Sequence, residues 1–208
     1  MQYRYLLIVR FALVNVIAAA LLLAAWMQGW LDNLLVSHLR ELSFVIAAVF
    51  LYGLSLCGLR IWRASRDLNN VAAGRPDARS PVGRYLAQVA DGGPASRTPL
   101  GAALRMKLTD RVIGVRHIAN ALVFLGLIGT VIGFIVALSG VDPETANKVE
   151  NISPMISTLI NGMSVALYTT LVGAVLYVWL MLNYRILVSG TVDLIAAAFE
   201  LGERRGRP

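Results

Sequence analysis

The stretch "GLIGTVIGF", residues 126–134, decides how the rest of the chain is read. It lies inside an apolar run from 117 to 138, long enough for the roughly 20 residues a helix needs to cross a bilayer. It nevertheless carries three glycines and a threonine where a helix surrounded by lipid would be filled with leucine. Gly126, Gly129, Thr130 and Gly133 recur at i, i+3, i+4 and i+7, which puts them on one helical face, and Ala137 extends that face. Lipid does not drive helices together, so packing must, and small residues let two backbones approach closely. The stretch predicts a membrane helix with a second helix pressed against its small face.

Three further apolar stretches occupy residues 5–26, 42–59 and 157–184, the second barely long enough to span. Of the 208 residues, 57% are hydrophobic and 15% charged, whereas a soluble domain carries about a quarter charged residues. Backbone groups find no water in lipid, so these stretches must be helices. The fold expected is an all-α membrane protein with four transmembrane helices. A signal peptide is the alternative for the first stretch, with Arg4 and Arg10 at its head and Ala24–Ala25 at its end. Its apolar run is longer than a signal core of roughly 7–15 residues, which favours a span, and it starts before Arg10, which is placed to snorkel.

The formal charge is +7. From 63 to 116 there are ten Lys/Arg against four Asp, while the loop after the first span holds Arg40 and the loop after the third holds Lys148 beside Asp142, Glu144 and Glu150. That asymmetry follows the positive-inside rule and places both termini and the basic segment in the cytoplasm. Nucleic acid is not expected as a partner, since Tyr85 is the only aromatic in the basic loop and offers no stacking platform. Cys57 reads as a small packing residue and His38 and His117 as solvated boundary residues; no zinc spacing is present, and no metal or cofactor is expected. "NIS" at 151–153 matches a glycosylation acceptor too short to weigh. There is no phosphate loop, triad or dinucleotide fingerprint, so an enzyme is not expected.

Three regions follow: an N-terminal transmembrane hairpin (1–62), a basic linker (63–97) and a C-terminal core (98–208). The linker, rich in Gly, Pro, Asp, Ser and Arg, reads as irregular or weakly helical. Thr98-Pro99 signals a helix start, after which Leu104, Leu108, Val112 and Val115 form an apolar stripe running into the third span. Ser153-Pro154 repeats the start signal, and beyond Arg185 the series Val188, Val192, Ile195 and Phe199 continues the helical period. The last two helices are therefore expected to be long and to extend into the cytoplasm, with Gly190 weakening the fourth and "LGERRGRP" fraying. The first two form an outer, lipid-facing layer, with Tyr3, Tyr5, Trp26, Trp30 and Trp62 at the interfaces.

The fourth stretch has its own small stripe of Gly162, Ala166, Thr169 or Thr170, Gly173, Ala174 and Tyr177. Within 118–138 and 157–184 no residue is acidic, basic or histidine. Ion-driven membrane machines need a group that titrates at membrane depth; if this chain conducts ions, another molecule must supply it. The plainer reading is that the stripes are packing seams, with each hydroxyl bonded to its own backbone.

"GLIGTVIGFIVALSG" followed, after one loop, by "LINGMSVALYTTLVGAVLYVWLMLNY" resembles the last two helices of the MotA/TolQ/ExbB proton-channel family. The resemblance covers about residues 118–185. Thr130 matches the threonine of a G-x-x-G-T-x-x-G pattern, and Thr170, three residues before Gly173, matches the fourth-helix threonine. Val165 stands where ExbB- and TolQ-like chains carry a glutamate, and the cytoplasmic loop is short for the flagellar-stator branch. The resemblance implies a homopentamer in the bacterial cell inner membrane around a single-span ExbD/TolR/MotB-like partner, in two copies, that brings a membrane aspartate. It implies an ion pathway at Thr130, Thr170 and Thr169, and partner-helix packing at Gly126, Gly129, Gly133, Ala166, Gly173 and Tyr177. The function implied is a pore-forming subunit converting proton-motive force into mechanical work; sodium is the other ion hydroxyl oxygens can coordinate. A non-conducting membrane scaffold and a small-molecule exporter are the alternatives, the exporter lacking the intramembrane carboxylate it would need.

Overall fold

The computed structural model describes residues 6–28, 40–91, 97–141 and 149–205. Five helices account for nearly all of them: α1 (Leu6–Met27), α2 (Arg40–Ala72), α3 (Pro81–Asp91), α4 (Arg97–Ser139) and α5 (Val149–Arg205). No strand occurs among the described residues. All but α3 contain a stretch long and apolar enough to cross a membrane: Leu6–Ala24, Leu42–Ala72, Thr98–Ser139 and Ile152–Arg204. The four expected spanning helices are present. At 1.5 Å per residue, α4 and α5 measure about 64 and 86 Å, well beyond the roughly 30 Å of a hydrocarbon core. Tyr3, Tyr5, Trp30, His38 and the loop charges at 142–148 lie outside the described residues.

The residues fall into two compact units. One comprises Met1–Val16, Leu54–His117 and Met181–Pro208, the other Ile17–Gly53 and Ile118–Leu180.

In the first unit, Leu104, Leu108, Val112 and Val115 of α4 are all buried, as their helical spacing predicts. They share a core with Ile61 and Leu68 of α2, Val82, Leu86 and Val89 of α3, and Leu187, Leu194 and Ala198 of α5. The buried stripe of α5 lies one residue before the expected one: Leu187, Thr191, Leu194 and Ala198 face inward while Val192 is 57% exposed. Thr191 breaks the apolar pattern and hides the register in the sequence. It tolerates burial because its hydroxyl donates to the Leu187 carbonyl at 2.8 Å. Gly190 does not interrupt α5; a methyl there would run into Leu7 of α1, 2.7 Å away. The tail is helical as far as Arg205. Cys57 is buried, in keeping with a packing role.

The basic segment is more ordered than its composition suggests. α2 runs on to Ala72 and ends in a left-handed Gly74 (φ +70°). The Arg75 N–H donates to the Asn70 carbonyl and the Gly74 N–H to the Val71 carbonyl, both at 3.0 Å, closing the helix as a Schellman motif. α3 begins at Pro81 behind Ser80, whose hydroxyl oxygen accepts the Gly83 N–H at 2.9 Å. Glycine and proline mark these ends; the apolar positions between them form helices. The other start signals shift as well. α4 begins one residue before Thr98, a difference within normal boundary scatter. α5 begins at Val149 and carries Pro154 inside its second turn, where the missing N–H removes one bond close to the start of the helix.

α1 joins this unit through a polar contact in apolar surroundings. The Asn15 side-chain amide donates to the Asn183 side-chain carbonyl at 2.9 Å and to the Phe11 backbone carbonyl at 2.7 Å, and Asn183 is fully buried. Replacing Asn15 with leucine should lower stability by about 1 kcal/mol, the scale of interhelical side-chain hydrogen bonds in membranes. Thermal unfolding in detergent, followed by helical signal, measures it, and an unchanged midpoint would show that the amide pair holds nothing together.

In the second unit, Phe50 of α2 and Trp179 of α5 stack at 4.9 Å with a 51° tilt. A methyl on Gly53 would meet Ile118 and Leu180, each 2.8 Å away, so α2 packs closely on both later helices. The closest joint is between α4 and α5.

Candidate functional site

The glycine stripe of α4 faces α5. A methyl added to Gly126 would lie 3.2 Å from the Thr169 carbonyl oxygen and 3.3 Å from the Thr170 Cα. At Gly129 it would collide with Thr169, and at Gly133 it would stand 2.6 Å from the Ala166 nitrogen and 2.7 Å from the Gly162 carbonyl. From the α5 side, a methyl at Gly162 would overlap the backbone of Ala137, and one at Gly173 would lie 2.7 Å from the Leu122 carbonyl. Each step of three or four residues up α4 meets a step of the same size down α5, so the helices run antiparallel with small residues interleaved. This is the close approach that the spacing predicts, and its partner is α5 of the same chain. Ala166, Gly126, Gly129, Gly133 and Gly173 are all buried in the joint, while Tyr177 is half-buried and Ala174 exposed on α5.

Thr130 and Thr170 sit at the open edge of this joint. Thr170 is exposed and Thr130 half-buried. Their hydroxyls are hydrogen-bonded to each other at 2.5 Å, and both reach one acceptor, the Gly126 carbonyl, at 3.1 Å from Thr130 and 3.2 Å from Thr170. The Thr130 bond is the ordinary four-residue return of a helical threonine to its own backbone. The Thr170 bond crosses from α5 to α4 and is possible because glycine brings the two backbones together. Thr169 behaves differently. It is buried, and its hydroxyl donates to the Val165 and Ala166 carbonyls of its own helix at 3.1 Å each. Its side chain fills the space left by Gly129.

The surroundings are free of charge. No acidic, basic or histidine residue occurs within 118–138 or 157–184, and Val165 is a buried valine. Among the described residues no three His, Cys, Asp or Glu side chains gather to hold a metal. The arrangement offers hydroxyl donors and acceptors at the edge of an apolar surface, and no group that itself changes charge near neutral pH.

Residues 102–199 match the model of the MotA/TolQ/ExbB proton channel family. That stretch, just under half of the chain, is similar to the MotA/TolQ/ExbB family. No curated protein and no solved structure gives a match to the chain. The MotA/TolQ/ExbB segment holds Thr130, Thr170 and the whole glycine joint, and extends past the residues that carry the sequence resemblance on both sides. It gives the chain a channel- or motor-type role in general terms. With four helices fit to cross a bilayer and a segment similar to a membrane channel family, the chain is a multi-pass membrane protein.

Two features escape the sequence reading. Gly140 extends the joint, since a methyl there would meet Thr158 at 2.6 Å; the i+7 step from Gly133 was its signal. The Asn15–Asn183 pair was visible only as two amides in separate apolar runs, with nothing to join them.

Proposed function

We propose that this chain is the pore-forming subunit of an ion-driven motor in a bacterial inner membrane. Five copies surround a single-span partner, present in two copies, whose membrane aspartate takes up and releases the ion. The observation that carries the reading is the Thr130–Thr170–Gly126 cluster: two hydroxyls from different helices at the edge of a membrane joint without a charge of its own. Hydroxyls there can hydrogen-bond a visiting carboxylate in either protonation state. Thr169 stands behind the pair and holds its turn against Gly129, and the glycines draw α4 and α5 into one narrow wall for the partner helix to pass. Tyr177 lies two turns further along the same helix. The excess of Lys/Arg in 63–116 puts that segment and both termini in the cytoplasm, and with them the far ends of α4 and α5.

A non-conducting scaffold is the second reading. It is favoured by the way every glycine of the stripe is filled from within the chain. The deciding experiment reconstitutes the chain in liposomes carrying a pH-sensitive dye. It is tested alone and with the short single-span protein, bearing a membrane aspartate, sought in the neighbouring reading frame. Proton uptake is expected only with both proteins present and should vanish when the partner's aspartate becomes asparagine. A sodium gradient at constant pH distinguishes the ion. No flux of either ion in any combination would leave the scaffold.

A further inference from the structure

The first unit contains a cavity of about 290 Å³ between α2, α4 and α5 that the ion pathway does not use. Its polar lining is Arg60, Arg63 and Asp67 from α2, Arg111 from α4 and Thr191 from α5. Three guanidinium groups thus face one carboxylate. The Arg60 Nη1 atom has neither solvent nor a hydrogen-bond partner. The Arg60 guanidinium lies on α4 at Gly114, where a methyl would come within 3.4 Å of it. An unmet guanidinium N–H shut away from water is costly, and the remaining imbalance is positive. The site wants an anion with several acceptor oxygens. Guanidinium forks match the oxygens of phosphate particularly well.

The position of the cavity narrows the source. Arg60 follows directly on the apolar residues 42–59, which as helix measure about 27 Å, close to the thickness of a hydrocarbon core. Arg60 and Arg63 therefore reach the level at which lipid headgroups begin. Arg111 stands six residues ahead of the third apolar run and Thr191 seven beyond the fourth, on the same side. Thr191 spends its hydroxyl hydrogen on Leu187, which leaves the arginines as the donors.

We propose that this cavity binds a phosphate group, presented by the headgroup of an anionic phospholipid, with Arg60, Arg63 and Arg111 as its donors. The test uses the full chain in detergent, titrated with short-chain phosphatidylglycerol, with diacylglycerol of the same chains and with inorganic phosphate, and read by native mass spectrometry. Phosphatidylglycerol should bind, and diacylglycerol, which lacks the phosphate, should not. Arg60→Gln should weaken phosphatidylglycerol by about tenfold, the scale of one charge-assisted contact. Arg63→Gln with Arg111→Gln should weaken it at least as much. Arg105→Gln, an exposed arginine elsewhere on α4, should leave it within about twofold, as expected for surface charge. Inorganic phosphate binding as well as the lipid, with the same arginine dependence, would uphold the phosphate site and overturn the lipid as its source. Lipid binding that ignores the arginines, or fails to distinguish diacylglycerol, would overturn the proposal. If Arg60→Gln does not fold, the double variant decides alone, since both its side chains are exposed.

Discussion

Thr170→Val should cut ion flux through the assembled complex by about a hundredfold while leaving the chain folded. The loss follows if the hydroxyl is a donor held in place for a charge that develops on the partner; removing one such donor costs about 10²–10³ in rate in other preorganised sites. Valine keeps the shape of threonine, and Thr170 is exposed, so no cavity opens. The Gly126 carbonyl still has the Thr130 hydroxyl at 3.1 Å, and the stability change should stay below about 1 kcal/mol. Thr130→Ala should act in the same direction. Thr169→Val should do far less to flux, because that hydroxyl serves the Val165 and Ala166 carbonyls. Flux in proteoliposomes, alongside size-exclusion profiles of the complex, separates the outcomes. Normal flux in both Thr170→Val and the double variant with Thr130→Ala would end the pore assignment.

Gly162→Leu and Gly133→Leu should fail at an earlier stage, by breaking the joint between α4 and α5. At both positions the first atoms met are backbone, of Ala137 in one case and of Ala166 and Gly162 in the other. A backbone cannot swing aside as a side chain can, so the helices must separate. Overpacking a well-filled interior costs about 1–3 kcal/mol and occasionally more, and these sites belong at or above the upper end. The expected result is a thermal midpoint lowered beyond that of any threonine variant, with poor recovery of folded protein. Gly126→Ala is the milder contrast: the α5 backbone it meets, the Thr169 carbonyl oxygen and the Thr170 Cα, stands at 3.2 and 3.3 Å, so α5 need give by only a few tenths of an ångström and the midpoint should fall less than in either leucine variant. If Gly162→Leu melted like the parent chain, the close approach of the two helices would be disproved.

The number of spans, the length of α4 and α5 and the existence of a close helix contact were legible because each rests on composition or period. A stripe of small residues says that something comes near; it does not say what. Nothing in Gly126, Gly129 and Gly133 as letters distinguishes α5 of the same chain from a separate helix, and the structure fills them with α5. The two threonines were legible as a pair of polar positions, but their shared acceptor was not, since it is a backbone carbonyl. α3 is only weakly signalled, because Gly74, Pro76 and Pro81 stand around it, although Val82, Leu86 and Val89 have helical spacing. Arg60 carries no signal of its own in the sequence; only its packing on α4 at Gly114 shows an unmet donor.

Two hydroxyl hydrogens and one carbonyl make an arrangement that can be rewired without moving a heavy atom. When Thr130 covers the Gly126 oxygen, Thr170 is at liberty to swivel its hydrogen outward; when Thr170 covers it, Thr130 is. Whichever rotor turns away, the buried acceptor keeps a companion. In the proposed motor, the same spot could greet an ionised acid with a hydrogen and a neutral one with a lone pair, at nearly equal cost in both.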